Sequence, residues 1–279
     1  MKQIIKKAII LQFLFFLLLY FTFHSKETSE LIINSLILFI TKVFPFLFPS
    51  LVLTELLILN NLPYYLNKYF KINSNTYIFL MSLLTGCPSN ALMVKNMLNN
   101  GNITLDNAEK IIAFTQFNNP IFLYNMLILT FNKSFALKTI ILNYLISFIL
   151  FIFLGRDKKR VTIDYHNESF SSTLVKATKN SLNTLLLIMG TLIVFNIIPV
   201  NNLAFKGLLE LTTGLNNLKL INTSLALKKA LASIYISFGG LCILIQIKSI
   251  LNDTSIKYKY YFKYRLIHLI IYTLLSCFI

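Results

Sequence analysis

The sequence predicts an all-α polytopic membrane protein, with about seven transmembrane helices plus two re-entrant hairpins in an inverted repeat. Composition is the first observation behind this. The chain is 56% hydrophobic and 13% charged, with a mean hydropathy of +0.69, whereas a soluble domain carries about 25% charged residues. The second is a series of apolar runs that reach the roughly 20 residues a helical span takes. The third is a set of helix-breaking residues inside those runs: Thr85-Gly-Cys-Pro-Ser-Asn90, Asn118-Asn119-Pro120, Thr212-Thr213-Gly214 and Gly239-Gly240. Broken backbone at membrane depth is tolerated only where protein buries it or where it lines a cavity. Paired breaks in the two halves of a chain point to a transporter with a central substrate site.

The apolar segments fall at 4–23, 31–59, 76–99, 109–131, 136–154, 178–199, 203–222, 226–251 and 262–279. The first follows Lys2, Lys6 and Lys7 and looks like a signal peptide, but His24-Ser25-Lys26-Glu27 is a poor cleavage site. An uncleaved first helix over 1–30 is expected. Pro45 and Pro49 are expected to kink the next helix. Segments 76–99 and 203–222 read either as spans or as hairpins that enter and leave on one side. Charge arbitrates. If every segment spans, the 26 Lys and Arg residues divide evenly between the two sides. With two hairpins, most of them fall on one side, as the positive-inside rule requires of the cytoplasm. That group contains Lys2, Lys6 and Lys7, the Arg156–Arg160 cluster, and Lys257, Lys259, Lys263 and Arg265. Lys206, Lys219, Lys228 and Lys229 stay outside and are not explained by this topology.

The hairpin topology gives the two halves opposite orientation. Residues 31–154 form a first repeat of helix, hairpin, broken helix and helix. Residues 155–177 form a cytoplasmic linker, and 178–279 form a second, inverted repeat. Leu84-Thr85-Gly86 parallels Thr212-Thr213-Gly214, and Phe117-Asn118-Asn119 parallels Phe238-Gly239-Gly240. The linker carries Arg156, Asp157, Lys158, Lys159, Arg160, Asp164, His166 and Glu168 and reads as a solvated loop. The net charge of +16 follows from topology rather than from nucleic-acid binding. Cys87, Cys242 and Cys277 show no metal-ligand spacing. The abundance of Asn, Ile, Lys and Phe reads as genome bias.

Candidate site residues are the polar groups at the breaks. Gly86 permits positive φ or close approach, and Pro88 can open a half-helix whose free N–H groups attract an anion. Ser89 and Asn90 could bond a carboxylate or a heterocycle. The plainer alternative is a Pro-kinked span. Gln116, Asn118, Asn119 and Pro120 form the densest neutral polar cluster, suited to a polar ring or carboxylate or to a network between helices. Glu210, with Thr213 and Gly214, lies beside broken backbone in the second hairpin. Gly239 and Gly240 offer exposed backbone or close helix packing. Glu210 and Glu55 are the candidate coupling carboxylates. Glu55 also reads as a polar clamp, or as a helix-end residue reaching the interface. Tyrosines across 258–264 read as an interfacial belt. Nucleotide-binding and triad motifs are missing from the sequence, so no enzyme activity is expected.

Four motifs carry a family resemblance: Val43-Phe-Pro-Phe-Leu-Phe-Pro-Ser50, Thr85-Gly-Cys-Pro-Ser-Asn-Ala91, Phe117-Asn-Asn-Pro-Ile-Phe122 and Gly207-Leu-Leu-Glu-Leu-Thr-Thr-Gly214. In this order they resemble the FPFLFPS-like, GxPxGA-like, NNPxxxF-like and GLLExxxG-like elements of the sporulation integral membrane protein YlbJ family. The resemblance covers about 31–251 and departs at Asn90, where the family commonly has Gly. It implies kinship with nucleoside-recognition (gate) domain proteins and concentrative nucleoside transporters, which have two hairpins and broken helices in inverted repeats. It also implies a role in moving dipicolinic acid from mother cell toward forespore, across the outer forespore membrane. The expected function is therefore transport of a small aromatic anion by alternating access, the N-terminus being cytoplasmic. A non-transporting scaffold for spore assembly and a nucleoside transporter are the alternatives. Expected partners are the anion, the lipid bilayer, and a second copy of the chain or other sporulation membrane proteins, with no nucleic acid. No cofactor and no metal are expected.

Overall fold

The computed structural model describes residues 2–155, 168–276 and 278–279. Most of the charged linker, from Arg156 through His166, and Cys277 lie outside the described residues. The described residues are helical: α1 Lys2–Phe23, α2 Ser25–Leu38, α3 Phe44–Leu59, α4 Leu62–Phe70, α5 Ser74–Thr85, α6 Ser89–Asn99, α7 Leu105–Phe114, α8 Pro120–Leu127, α9 Lys133–Leu154, α10 Phe170–Asn196, α11 Leu203–Leu209, α12 Leu211–Asn217, α13 Leu225–Phe238, α14 Gly240–Ile250 and α15 Lys259–Ser276. A π-helical turn, Phe39–Val43, joins α2 to α3 into one run from Ser25 to Leu59. The widened turn stands directly before Pro45, whose ring and missing N–H cannot continue a regular ladder.

Polarity is inverted relative to a soluble protein. Leu, Ile and Phe side chains are exposed along α1, α9, α10 and α15, while Asn90, Gln116, Asn118, Asn143, Glu210, Gln246, Arg265 and His268 are buried. Lipid contact explains the first set, and the absence of water at membrane depth demands the second arrangement. Among the described residues, four helical stretches are long and apolar enough to cross a membrane: Ser25–Leu59, Lys133–Leu154, Phe170–Asn196 and Leu225–Ile250. The chain is an integral membrane protein of helical type. About seven transmembrane helices were expected, one of them broken at 118–120, and two of those segments lack one long apolar helix for local reasons. Residues 115–119 divide α7 from α8, and the first two turns of α15 carry Lys259, Lys263 and Arg265.

The frame is an antiparallel pair, α2–α3 against α10, joined by three polar rungs. Asn60 Nδ2 donates to Thr173 Oγ1 at 3.3 Å, Asn180 Nδ2 to Glu55 Oε2 at 3.4 Å, and Asn196 Nδ2 to Ser35 Oγ at 3.0 Å. The 20 residues between Ser35 and Glu55 correspond to about 30 Å of helix, the thickness of a bilayer core. The end marked by Asn60 and Thr173 is also the linker end, where Asn75 Nδ2 donates to Gly155 O at 2.9 Å.

Two helix pairs fold back on themselves. Ser74 Oγ, at the start of α5, donates to Asn102 O beyond the end of α6 at 2.9 Å. These limbs are 12 and 11 residues long, about 17 Å each, so the pair is half a span deep. Its base sits at the linker end. In the second pair, a Cβ on Gly214 would stand 2.3 Å from Gly207 Cα, so α11 and α12 lie backbone to backbone. Their open ends, Leu203 and Asn217, stand beside Ser35 and Asn196 at the opposite end of the frame.

Asparagine has a structural use that genome bias does not capture. Asn73, Asn119, Asn132 and Asn202 each cap a helix, their side-chain oxygens accepting backbone N–H groups. Helix α4 was not expected. It begins around Pro63, and Lys68 lies over the Tyr64 ring at 5.7 Å, a pairing suited to the membrane interface.

Candidate functional site

The site is built where the broken segments meet. Residues 115–119 run without helical bonding between α7 and α8, and four successive carbonyls there find partners from elsewhere. Asn90 Nδ2 donates to Thr115 O at 2.7 Å, and an Arg265 guanidinium nitrogen donates to Gln116 O at 3.2 Å. Cys87 N donates to Phe117 O at 2.7 Å, and Tyr144 Oη to Asn118 O at 3.2 Å. Buried backbone acceptors need such partners, so the first hairpin's tip, α9 and α15 together hold the break open.

Gly86 makes this contact possible. Its φ is +70°, and a Cβ there would stand 2.8 Å from Asn119 N. Gly239 and Gly240 form the corresponding corner in the other half, at φ +79° and +78°. A Cβ on Gly240 would stand 3.0 Å from Leu209 O, at the second hairpin's tip. The two breaks also touch. Asn118 Nδ2 donates to Ile236 O at 3.4 Å, and a Cβ on Gly239 would stand 3.0 Å from Gln116 Nε2.

A cavity of about 40 Å³ lies at this crossing, lined by Cys87, Asn118, Asn119, Glu210, Thr212, Cys242 and Gln246, with Val43, Leu47 and Ile188 from the frame. Val43 belongs to the π-helical turn. Two larger cavities flank it. One of about 260 Å³ at the linker end is lined by Glu55, Tyr77, Thr85, Ser89, Asn96 and Asn180. The other, about 200 Å³, lies at the opposite end and is lined by Asn34, Ser35, Asn196, Lys206, Thr213 and Asn216. Along α10 the markers Asn180, Ile188 and Asn196 follow at eight-residue steps, about 12 Å each. The first hairpin's tip faces the central cavity and its α6 limb faces the linker-end cavity. The second hairpin's tip faces the same central cavity and its α12 limb faces the opposite one.

The sequence-predicted residues divide accordingly. Asn118, Asn119 and Glu210 line the central cavity. Ser89 and Glu55 line the linker-end cavity, away from Glu210, and Thr213 lines the opposite one. Asn90, Gln116, Gly86, Gly239 and Gly240 form the scaffold of the crossing. Gly214 is a packing residue, set against Gly207 and the Tyr235 ring.

The expectation that half-helix N-termini offer free N–H groups to an anion does not hold. Glu210 caps α12, its carboxylate oxygens accepting from Thr212 N at 2.9 Å and Thr213 N at 2.6 Å. Asn119 Oδ1 accepts from Ile121 N and Phe122 N and so closes α8, while its Nδ2 donates to Ser50 Oγ at 3.0 Å. At α6, Asn90 N and Ala91 N turn back to Gly86 O and Pro88 O. At α6, α8 and α12 the N-terminus is satisfied by its own chain, whereas α14, which opens at Gly239, has no side-chain cap.

Several buried polar residues were missed in the sequence. Gln246 Nε2 donates to Thr191 Oγ1 at 2.6 Å beside the central cavity. Asn196 Oδ1 accepts from Thr213 Oγ1 at 2.8 Å and ties the second hairpin to the frame. His268 joins three helices, with Ser237 Oγ 2.6 Å from Nδ1 and Ser147 Oγ 3.4 Å from Nε2. Arg265 was assigned to the cytoplasmic basic group, but it is 5% exposed within α15. Its helical phase turns it toward the break instead of toward the end of the span. On the surface, Lys95 at 2.7 Å holds the Asp253 carboxyl below its ordinary range and ties α6 to the turn after α14.

Over 326 aligned positions the chain is 22% identical to the sporulation integral membrane protein YlbJ of Bacillus subtilis (strain 168), covering 94% of this chain and 80% of that protein. The similarity agrees with the resemblance carried by the four motifs and supports the membrane assignment. No family model matches the chain, and no solved structure matches it.

Proposed function

We propose that this chain is a sporulation membrane transporter that moves a small aromatic anion, dipicolinate foremost, from mother cell toward forespore by alternating access. The observation that carries the reading is the line of three cavities along one helix pair, with a hairpin between the central cavity and each outer one. The first hairpin is about half a span deep and the second, with limbs of 7 residues, about a third; each is tied to its neighbours by a few hydrogen bonds, which suits a gate. The two hairpins have their bases at opposite ends, as an inverted repeat requires. The sporulation role follows the name of the relative, and the choice of dipicolinate follows the family resemblance.

Sidedness comes from charge. Lys95, Lys110, Lys248, Lys257, Lys259 and Lys263 gather with the linker at one end. The positive-inside rule puts that end in the mother-cell cytoplasm, with the N-terminus on the same side, in the outer forespore membrane. The first hairpin is then the inner gate and the second the outer gate. A volume of about 40 Å³ holds a few waters and no aromatic ring with two carboxylates, so one gate must withdraw to admit substrate. Asn118, Asn119, Thr212 and Gln246 would face its polar edge. Glu210, at the same cavity and beside the outer gate's tip, is placed to couple transport to a proton. Glu55, at the inner vestibule, is the second coupling candidate.

The test is uptake of labelled dipicolinate by proteoliposomes containing the purified chain, against empty liposomes and Glu210→Gln. Saturable, protein-dependent uptake that the variant loses is expected. Folded protein with no uptake under pH or sodium gradients would overturn the transport reading in favour of a scaffold, and nucleosides competing better than dipicolinate would reassign the substrate.

A further inference from the structure

With α8 and α12 capped by their own side chains, neither supplies a free charge-recognition group, and the backbone N-terminus of α14 carries only a partial charge. Arg265 is buried beside the first break, and one of its five N–H donors reaches a protein acceptor, Gln116 O. Its Nε has no partner. Among the described residues no carboxylate pairs with it, and the ion pairs there are Lys95–Asp253, Lys110–Asp106 and Lys176–Glu168. A buried charge without a counter-charge is costly, and an intramembrane cation marks a ligand path unless the protein itself pairs it. The surroundings are unsatisfied too. Gln116 is 3% exposed, its amide meets only the Tyr261 side chain and makes no well-aligned hydrogen bond, and Asn90 Oδ1 is buried without a donor. Cys87 connects this cluster to the central cavity: it lines the cavity and lies within electrostatic reach of the guanidinium.

We propose that Arg265 is the charge-recognition group of the transport site, a fixed guanidinium behind the first hairpin's tip that draws a carboxylate into the central cavity and bonds it when the tip withdraws. This rests on the transport reading and adds to it the residue that selects an anion. Arginine suits the task because its planar fork matches a carboxylate with two parallel bonds. At low effective dielectric its charge also acts on the cavity through the intervening tip. Gln116, held only by its contact with Tyr261, complements it with an amide donor for a second carboxylate oxygen or a ring nitrogen. The bond to Gln116 O keeps the guanidinium in place while the site is empty.

The experiment uses the full chain in proteoliposomes, with labelled pyridine-2,6-dicarboxylate as substrate and the neutral pyridine-2,6-dicarboxamide as competitor. Wild type is expected to take up the diacid and to be unaffected by about 100-fold excess diamide. Arg265→Gln keeps a donor for Gln116 O but removes the charge, and is expected to lose uptake by about tenfold or more, the scale of one charge-assisted hydrogen bond. Arg265→Lys is expected to retain part of it. Arg265→Gln that transports like wild type would show a purely structural role and overturn the inference while leaving the transport reading intact. Diamide that competes as well as unlabelled diacid would overturn it in the wild-type protein, whether or not the variants fold. Wild-type protein that takes up no diacid overturns the transport reading, and this inference with it.

Discussion

At the residue scale, the site depends on side chains that repair broken backbone. Asn119 uses both ends of its amide, capping α8 with one and reaching Ser50 with the other. Asn119→Ala would leave two helix N–H groups without their cap and remove the bond to Ser50 Oγ, and should cost about 1–3 kcal/mol. Thermal unfolding in detergent should show a clear drop for Asn119→Ala and a much smaller one for Asn119→Asp, which retains the capping oxygen. Equal losses would mean that the cap is unimportant. Asn118, Asn119 and Glu210 were legible in the sequence because polar and helix-breaking residues inside an apolar run are expensive at membrane depth. Arg265 was not legible. A basic residue two turns into a terminal apolar helix reads as an interfacial anchor, and only the helical phase shown by the packing turns it toward the break. Asn196 and Gln246 escaped for a related reason, since single polar residues in long spans carry no local signal of the partner they meet.

At the element scale, the hairpins are defined by small residues at close backbone contacts. A Cβ on Gly207 would stand 2.3 Å from the Tyr235 ring, and one on Gly214 the same distance from Gly207 Cα. Tyr235 is fixed by its hydroxyl, which donates to Ala204 O at 2.7 Å, so it cannot simply swing aside. Gly214→Ala should therefore force the α11–α12 limbs apart and cost about 1–3 kcal/mol by overpacking. Reduced yield of folded protein and a lower unfolding midpoint would bear this out. Wild-type stability would show that the limbs are not held this closely. Three of the four breaks were readable from Gly, Pro and Asn; the fourth, expected at Thr212-Thr213-Gly214, falls at Glu210, and those three residues lie within α12. Their capping was not, because Glu210 reads as a lone intramembrane carboxylate until its two N–H partners are in view. Helix α4 was hidden by its polar content, Asn67 and Lys68 among tyrosines, which resembles a loop in an apolar scan.

At the scale of the whole molecule, the helical membrane class follows from composition, since so apolar a chain cannot cover its surface with polar residues. The inverted topology is an expectation from counting charges rather than from any local motif. The structure supplies what charge cannot: a helix pair about 24–30 Å from rung to rung with a cavity at each end and one between them. The central claim is that the two outer cavities open to opposite sides of the membrane. Single cysteines in a cysteine-free background test it most directly, one at Asn96 in the linker-end cavity and one at Asn216 in the other, probed with a membrane-impermeant thiol reagent on sealed vesicles of known orientation. The cysteine at 96 is expected to label only from the cytoplasmic face and the one at 216 only from the opposite face. Labelling of both from the same face would contradict it.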